Sequence, residues 1–293
     1  MTALPYEDAA PQPAVRPGAL REVLRRHPTA VAGGLILLLI VLIALFAPYL
    51  GTIDPQAINP IRRLRPPNAE NWFGTDSVGR DLYSRVLYGA RVSLIVGFSV
   101  AALSTLIGLA IGLVAGFSRI VDAIVMRIMD GLMSIPPILL AIALMALTRA
   151  SVENVILAIT IAEIPRVARL VRSLGLTLRE QPFVEAARAS GTRNWRILVR
   201  HILPNTVPPL IVQATYVCAS AVIVEAILSF LGAGTPPTIP SWGNIIAEGR
   251  MLFLVAAYII LIPSVFLSLT VLAINLVGDG LRDALDPRLA RNL

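Results

Sequence analysis

The chain has 293 residues, of which 56% are hydrophobic and only 15% charged, with a mean hydropathy of +0.76. Soluble chains carry about 25% charged residues, so this composition points to a bilayer as the solvent. The formal net charge of +7 is carried by arginine alone, and without a single lysine a phosphate-cradling G-x-x-x-x-G-K-[ST] loop is excluded.

Further classes fall away on composition. Cys218 is the lone cysteine and sits in an apolar run, which removes disulfides and cysteine metal sites. His27 and His201 are the only histidines, so no histidine-based metal centre and no H-E-x-x-H protease site can be built. The arginines flank apolar stretches, a pattern that orients a membrane protein and not one that tracks nucleic acid.

In chain order, residues 1–28 form a polar, Pro-rich tail, and residues 29–50 form a first uncharged span. That apolar core is longer than a signal peptide's and follows a long polar tail, so an uncleaved span is expected. A loop over 51–91 comes next, then a core over 92–277 with spans at 92–117, 131–148, 152–171, 206–231 and 251–277, and a tail over 278–293. The expected fold is therefore all-α, with six transmembrane helices. Arg149, Ala150 and Ser151 make the turn between the third and fourth spans. Pro136-Pro137, Pro208-Pro209 and Pro263 are expected to kink or end helices. Gly108, Gly112 and Gly116, four residues apart, predict close helix packing in the second span. Arginines crowd the N-terminal tail, the segment with Arg119 and Arg127, the long segment from Arg166 to Arg200, and the C-terminal tail. This bias places both termini in the cytoplasm. The 51–91 loop goes against it with Arg62, Arg63, Arg65, Arg80, Arg85 and Arg91, partly offset by Asp54, Glu70, Asp76 and Asp81.

The segment over 177–204 carries the most information. Pro182 suits the first turn of a helix, Phe183 to Ala189 is good helix-forming sequence, and Gly191 is placed to stop it. Thr192 is expected to cap a second helix, with Trp195, Leu198, Val199 and Ile202 on one face and Pro204 opening the next span. Two short helices, poor in bulk at Ala186, Ala187 and Ala189, make a knob that can seat in a partner's groove. An amphipathic loop lying on anionic lipid, with Trp195 at headgroup level, fits the same residues.

Glu185-Ala186-Ala187, then Gly191, then Leu203-Pro204, resembles the EAA loop of permeases in ATP-binding-cassette importers. His201 replaces the isoleucine of the generic pattern, and Arg200-His201-Ile202-Leu203-Pro204-Asn205 fits the peptide-permease version. Phe73-Gly74-Thr75-Asp76, Gly79-Arg80-Asp81, Tyr88-Gly89-Ala90-Arg91, Ser229-Phe230-Leu231-Gly232, and the run from Gly278 to Arg288 are similar to the C-type subunits of the oligopeptide/dipeptide/nickel branch. The resemblance implies a type I transmembrane-domain fold in the bacterial inner membrane. It implies a heterodimer with a homologous second permease, two cytoplasmic ATP-binding subunits and an external substrate-binding protein. ATP and Mg would belong to the partner ATPases, and this chain would hold no cofactor and do no chemistry. Glu185, Ala186, Ala187, Gly191, Thr192, Arg193, Trp195 and Arg196 would form the ATPase-coupling surface. Short peptides are the implied cargo, with nickel or another small solute as the alternative. An ion-driven secondary transporter and a membrane-embedded enzyme are the readings from other classes.

Within the spans, Glu225 reads either as a path or gate contact or as a helix–helix hydrogen bond. Gln213 and Asn275 either line the cavity or glue helices together. Glu163 is expected to pair with Arg166 or Arg169. Outside the spans, Trp242 and Asn244 of the stiff 235–244 loop, with Asp76 and Arg80, are candidate contacts for the binding protein. A re-entrant turn anchored by Trp242 is the other reading of that loop.

Overall fold

A computed structural model describes residues 28–285; the arginine-rich N-terminal tail and the final residues from Asp286, including Pro287 and Arg288, lie outside the described residues. The regular elements are helices: α1 (Pro28–Phe46), α2 (Leu82–Phe117), α3 (Arg119–Met133), α4 (Pro137–Ala146), α5 (Val152–Arg179), α6 (Pro182–Ala189), α7 (Asn194–Ile197), α8 (Leu203–Phe230), α9 (Trp242–Gly249) and α10 (Tyr258–Leu285). No strand is assigned among the described residues, where Thr75 and Asp81 make one isolated bridge.

Close contacts give the helices their directions. Ala30 of α1 lies against Gly280 of α10 and Gly33 against Ala273 and Leu276, so these two run antiparallel. On α2, Gly108 meets Val167 and Gly112 meets Val171 of α5, so α2 and α5 run parallel. Cβ atoms added at Gly108 and Gly112 would come within 2.6 Å of α5 atoms, which confirms the close packing expected from the glycine spacing. Ser93 and Gly97 of α2 meet Glu225 and Val222 of α8 in antiparallel order, and Thr215 of α8 meets Gly278 of α10 likewise.

The ends of the helices therefore gather on two faces. One, the knob face, holds the start of α1, the ends of α2, α5 and α10, and α6–α7. The other, the cap face, holds residues 47–81, 147–151 and 231–257. Asp122 of α3 pairs with Arg172 near the knob face, whereas Ile142 and Met145 of α4 adjoin Gly232 and Ala233 on the cap face. The α3–α4 pair thus completes one passage, and the described residues pass between the faces six times.

Four of these passages are long and apolar enough to cross a membrane as single helical stretches: Pro28–Tyr49, Leu82–Phe117, Asn194–Phe230 and Tyr258–Leu285. The expected third span, 131–148, is instead broken, with α3 and α4 meeting at 88°. Pro136 and Pro137 lack N–H donors, and a residue preceding proline is pushed out of the helical region, as Pro136 is at ψ 132°. The fourth passage, α5, is 28 residues long but carries Glu153, Glu163, Arg166, Arg169 and Arg172 among its apolar residues.

Other edges also move. α2 begins at Leu82, ten residues before the expected start of its span, because the Asp81 carboxylate accepts the Ser84 N–H at 2.8 Å and caps it. The sixth span begins at Tyr258, not near 251; Met251, in a short 3-10 helix over Arg250–Leu252, and Leu254, in the turn after it, are exposed on the cap face. Apolarity alone does not separate such a turn from a helix start.

Candidate coupling site and the opposite cap

The knob is built as the local sequence dictates, with one change. Pro182 opens α6, and the helix ends in paired bonds: the Gly191 N–H donates to Arg188 O at 2.9 Å and the Thr192 N–H to Ala187 O at 3.0 Å. This is the Schellman arrangement, and Gly191 adopts the left-handed φ of +73° that it requires. Thr192 is spent on that closure, so the expected capping by its side chain does not occur; Arg193 stands at the N-cap with no side-chain bond. The second short helix does not stop before Pro204. It continues through a π turn over Leu198–Ile202 into α8, giving one 37-residue helical stretch from Asn194 to Phe230. The wider π turn accommodates a proline that would otherwise clash with the preceding carbonyls.

Val184, Ile197 and Ile202 are buried together against Leu113, Phe117 and Leu178 at the ends of α2 and α5. Arg179 adds a lock: its Nη1 donates to Gly116 O at 2.9 Å while its guanidinium lies over the Phe117 ring. The face turned away is open. Glu185, Ala186, Gly191, Arg193 and Arg196 are exposed, Ala187 and Thr192 are half-buried, Trp195 is 64% exposed, and Phe183 and Val199 are exposed too. Ile197 was missing from the sequence-expected apolar face, and Trp195 lies on the opposite side from the buried set. An i, i+3, i+4 pattern on a helix of this length admits more than one choice of inward face.

On the cap face, the four candidate docking side chains are engaged in bonds within the chain. Trp242 is fully buried, its Nε1–H donating to Val86 O at 3.1 Å. The buried Asn244 amide donates to Thr235 Oγ1 at 2.9 Å and Pro236 O at 3.0 Å, knotting the Pro-rich loop. Asp76 Oδ2 accepts from Arg85 Nη1 at 2.5 Å and Arg80 Nε at 2.6 Å. The same arginines reach Glu248 of α9: Arg85 at 2.6 and 3.0 Å, Arg80 at 2.5 Å. Burial alone would raise the Asp76 carboxyl, but the Arg85 charge and the Arg80 N–H and charge outweigh it and hold the group below the usual carboxylate range. Arg85 and Asp76 are each 1% exposed, so this network is the interior of a cap joining residues 62–85 to α9. Arg85 and Glu248 were not singled out from sequence, because a lone arginine and a lone glutamate 163 residues apart carry no pattern.

The candidate path residues divide. Glu225 is wholly buried and accepts from Ser229 Oγ at 2.9 Å and Ser93 Oγ at 3.3 Å. It ties α8 to α2 within this chain and lines no opening in this conformation. Gln213 is half-buried and borders a groove with Leu170, Pro208, Pro209, Tyr216 and Arg282. Asn275 is half-buried on α10.

Long apolar helices passing repeatedly between two faces, with a small exposed knob fixed to their ends, are the architecture of a polytopic membrane protein. Comparison with known proteins makes this specific. Residues 104–291 match the family described as binding-protein-dependent transport system inner membrane component, and residues 19–67 match the N-terminal TM domain of oligopeptide transport permease C. A probable peptide ABC transporter permease protein of Sinorhizobium fredii is 52% identical over 99% of both chains. The dipeptide transport system permease protein of Alkalihalophilus pseudofirmus is 43% identical over 91% of this chain and 88% of its own. A glutathione transport system permease protein of Pectobacterium atrosepticum is 44% identical over 92% and 90%. Among solved structures, an inward-facing form of the MetNI methionine ABC transporter matches with a TM-score of 0.57 and 26% identity, covering 69% of this chain and 96% of that one. The chain belongs to the binding-protein-dependent transport system inner membrane component family and is an ABC transporter permease.

Proposed function

We propose that this chain is one of two permeases forming the solute path of an ATP-driven importer of short peptides in the bacterial inner membrane. The knob face lies in the cytoplasm, both termini with it, and the cap face lies outside. Two ATPase subunits, carrying the ATP and Mg, seat against α6 and α7, and a separate binding protein delivers solute at the cap. This chain hydrolyses nothing.

The observation that carries this reading is the construction of the knob. Its buried side packs on α2 and α5 through Val184, Ile197 and Ile202, while its small-residue side is open. Because α7 runs into α8 as one helical stretch, a push on the knob moves a membrane span as a rigid lever. The work is a shift between inward- and outward-open populations, driven by ATPases that bind the two states unequally. Peptides are favoured as cargo over nickel because the three relatives above are named for peptide, dipeptide and glutathione transport.

Glu185→Arg changes an exposed knob position and should leave insertion and folding intact. Gly191→Trp has room around it but takes on about 1–2 kcal/mol of strain at the left-handed φ of +73°. Its membrane yield is therefore compared with that of Gly191→Ala, which carries the same strain without the bulk. Uptake of labelled dipeptide in cells should be lost, while recovery of the second permease from solubilised membranes should not change. Normal uptake in both variants would remove the coupling assignment.

A further inference from the structure

The lower half of α5 presents a polar stripe to open space. Arg166, Arg169, Ser173 and Thr177, spaced by three and four residues, share one face and are all exposed. Arg166 is the fifteenth residue of the 28 in α5, so it stands at the middle of that passage, and the stripe runs about 16 Å toward the knob face at 1.5 Å per residue. Arg166 is 48% exposed and Arg169 49%. A guanidinium held against hydrocarbon at that depth is costly, and such residues face a bundle interior or a wet cavity. Leu157 and Ile161, in the half of α5 nearer the cap, are exposed on a different side of the helix and carry no polar group. The two halves of α5 therefore face different surroundings.

Each arginine is partnered in a way that leaves it free to exchange. Arg166 Nη1 lies 3.2 Å from Glu163, whose carboxylate is 2% exposed and is also held by Ser220 Oγ at 3.1 Å. Glu163 Oε2 is buried and receives no hydrogen bond, only the Arg166 charge beside it. Arg169 pairs with Asp130 of α3 at 2.6 Å, a contact that is half-exposed on both sides. Leu170, next to the stripe, forms one wall of a groove of about 460 Å³ whose other walls include Gln213 and Tyr216 of α8 and Arg282 of α10. Tyr216 Oη donates to Asp279 at 2.7 Å.

We propose that the stripe of Arg166, Arg169, Ser173 and Thr177 lines the aqueous solute path, and that Arg166 receives the carboxylate of the passing solute in exchange for Glu163. A short zwitterion suits this wall, because Arg166 answers its carboxylate while the half-exposed Asp130 answers its ammonium group. The choice of solute rests on the peptide reading above; the lining does not.

The test uses the complete importer in native membranes, with Cys218→Ala as background. Single cysteines replace Arg166, Ser173, Thr177 and, as a control, Leu157. A permanently charged methanethiosulfonate should modify the first three and spare the fourth, which reacts only with membrane-soluble N-ethylmaleimide. Ser173→Cys and Thr177→Cys remove no charge, so they report on the stripe even where Arg166→Cys fails to fold. If neither reacts with the charged reagent, with or without ATP, the stripe does not line the path and the proposal falls. Separately, Arg166→Gln should reduce uptake of a dipeptide with a free carboxylate by about ten- to a hundredfold relative to its C-terminal amide, the loss of one charge-assisted bond. Equal loss for both peptides would overturn the carboxylate assignment. Charged-reagent labelling in a wild-type-like importer that takes up neither peptide would refute the peptide reading and leave the lining intact.

Discussion

Arg85→Ala isolates the physics of the cap. Arg85 is 1% exposed and donates to both Asp76 and Glu248, so its removal leaves Asp76, also 1% exposed, with Arg80 and the Val78 N–H, while Glu248 loses two of its three bonds. Breaking a buried ion pair from one side costs about 3–5 kcal/mol, because the surviving charge stays desolvated. At 1.4 kcal/mol per decade, that raises the open population of the cap by about two to three and a half decades. Hydrogen exchange of the N–H groups of Leu64, Arg65, Thr75 and Asp76, which bond within the cap, reads this directly in detergent-solubilised protein. Arg62→Ala is the control. Its pair with Glu70 is 42% and 66% exposed on its two sides, and such pairs contribute at most about 1 kcal/mol. Arg85→Ala with Glu248→Gln should recover part of the loss, since Arg80 and Asp76 then remain as one balanced pair. If Arg85→Ala costs no more than Arg62→Ala, the network does not hold the cap together.

Other outcomes follow from the same structure. Asp76 is held below its ordinary value of 3.8, so its contribution is complete above that pH and disappears only as pH falls through the lower folded value. Cap exchange protection, corrected for the intrinsic rate, should therefore be unchanged from pH 7 to pH 5. Gly112→Leu should separate α2 from α5 and abolish folded yield, because its first side-chain carbon already meets Ala168 O at 2.6 Å. Gly131→Ala, with nothing within 4 Å, should raise thermal stability slightly, by up to about 1 kcal/mol. Glu225→Leu should cost about 1–3 kcal/mol by orphaning the Ser93 hydroxyl and leaving Ser229 with Thr235 alone, whereas Glu225→Gln keeps an acceptor for both hydroxyls. Denaturation midpoints in one detergent compare these variants.

Reading the sequence worked best where one short stretch contains the whole cause. Pro182, the small residues after it and Gly191 dictate α6 and its left-handed stop without help from the rest of the chain. The runs behind α1 and α2 are apolar enough to demand a bilayer regardless of their neighbours, and the glycine spacing on α2 signalled a close partner. It worked less well at edges. Thr192 was a reasonable cap by type, but its N–H and position were taken by the closure of the preceding helix. Pro204 has the chemistry of a helix start, yet a π turn lets the helix run through it.

The sequence by itself settled that the chain lives in a membrane, that it carries no nucleotide loop, and that a knob interrupts the spans between α5 and α8. These are sums over neighbouring residues: apolar area, missing donors, turn chemistry. Which charges face inward was decided only by the tertiary structure. Asp76, Arg80, Arg85 and Glu248 become one buried network because the cap folds α9 onto the start of α2. Glu225 becomes a quiet helix tie, whereas Arg166 is turned toward open space. The energy of a charge depends on what surrounds it in three dimensions, and no spacing along the chain encodes those surroundings.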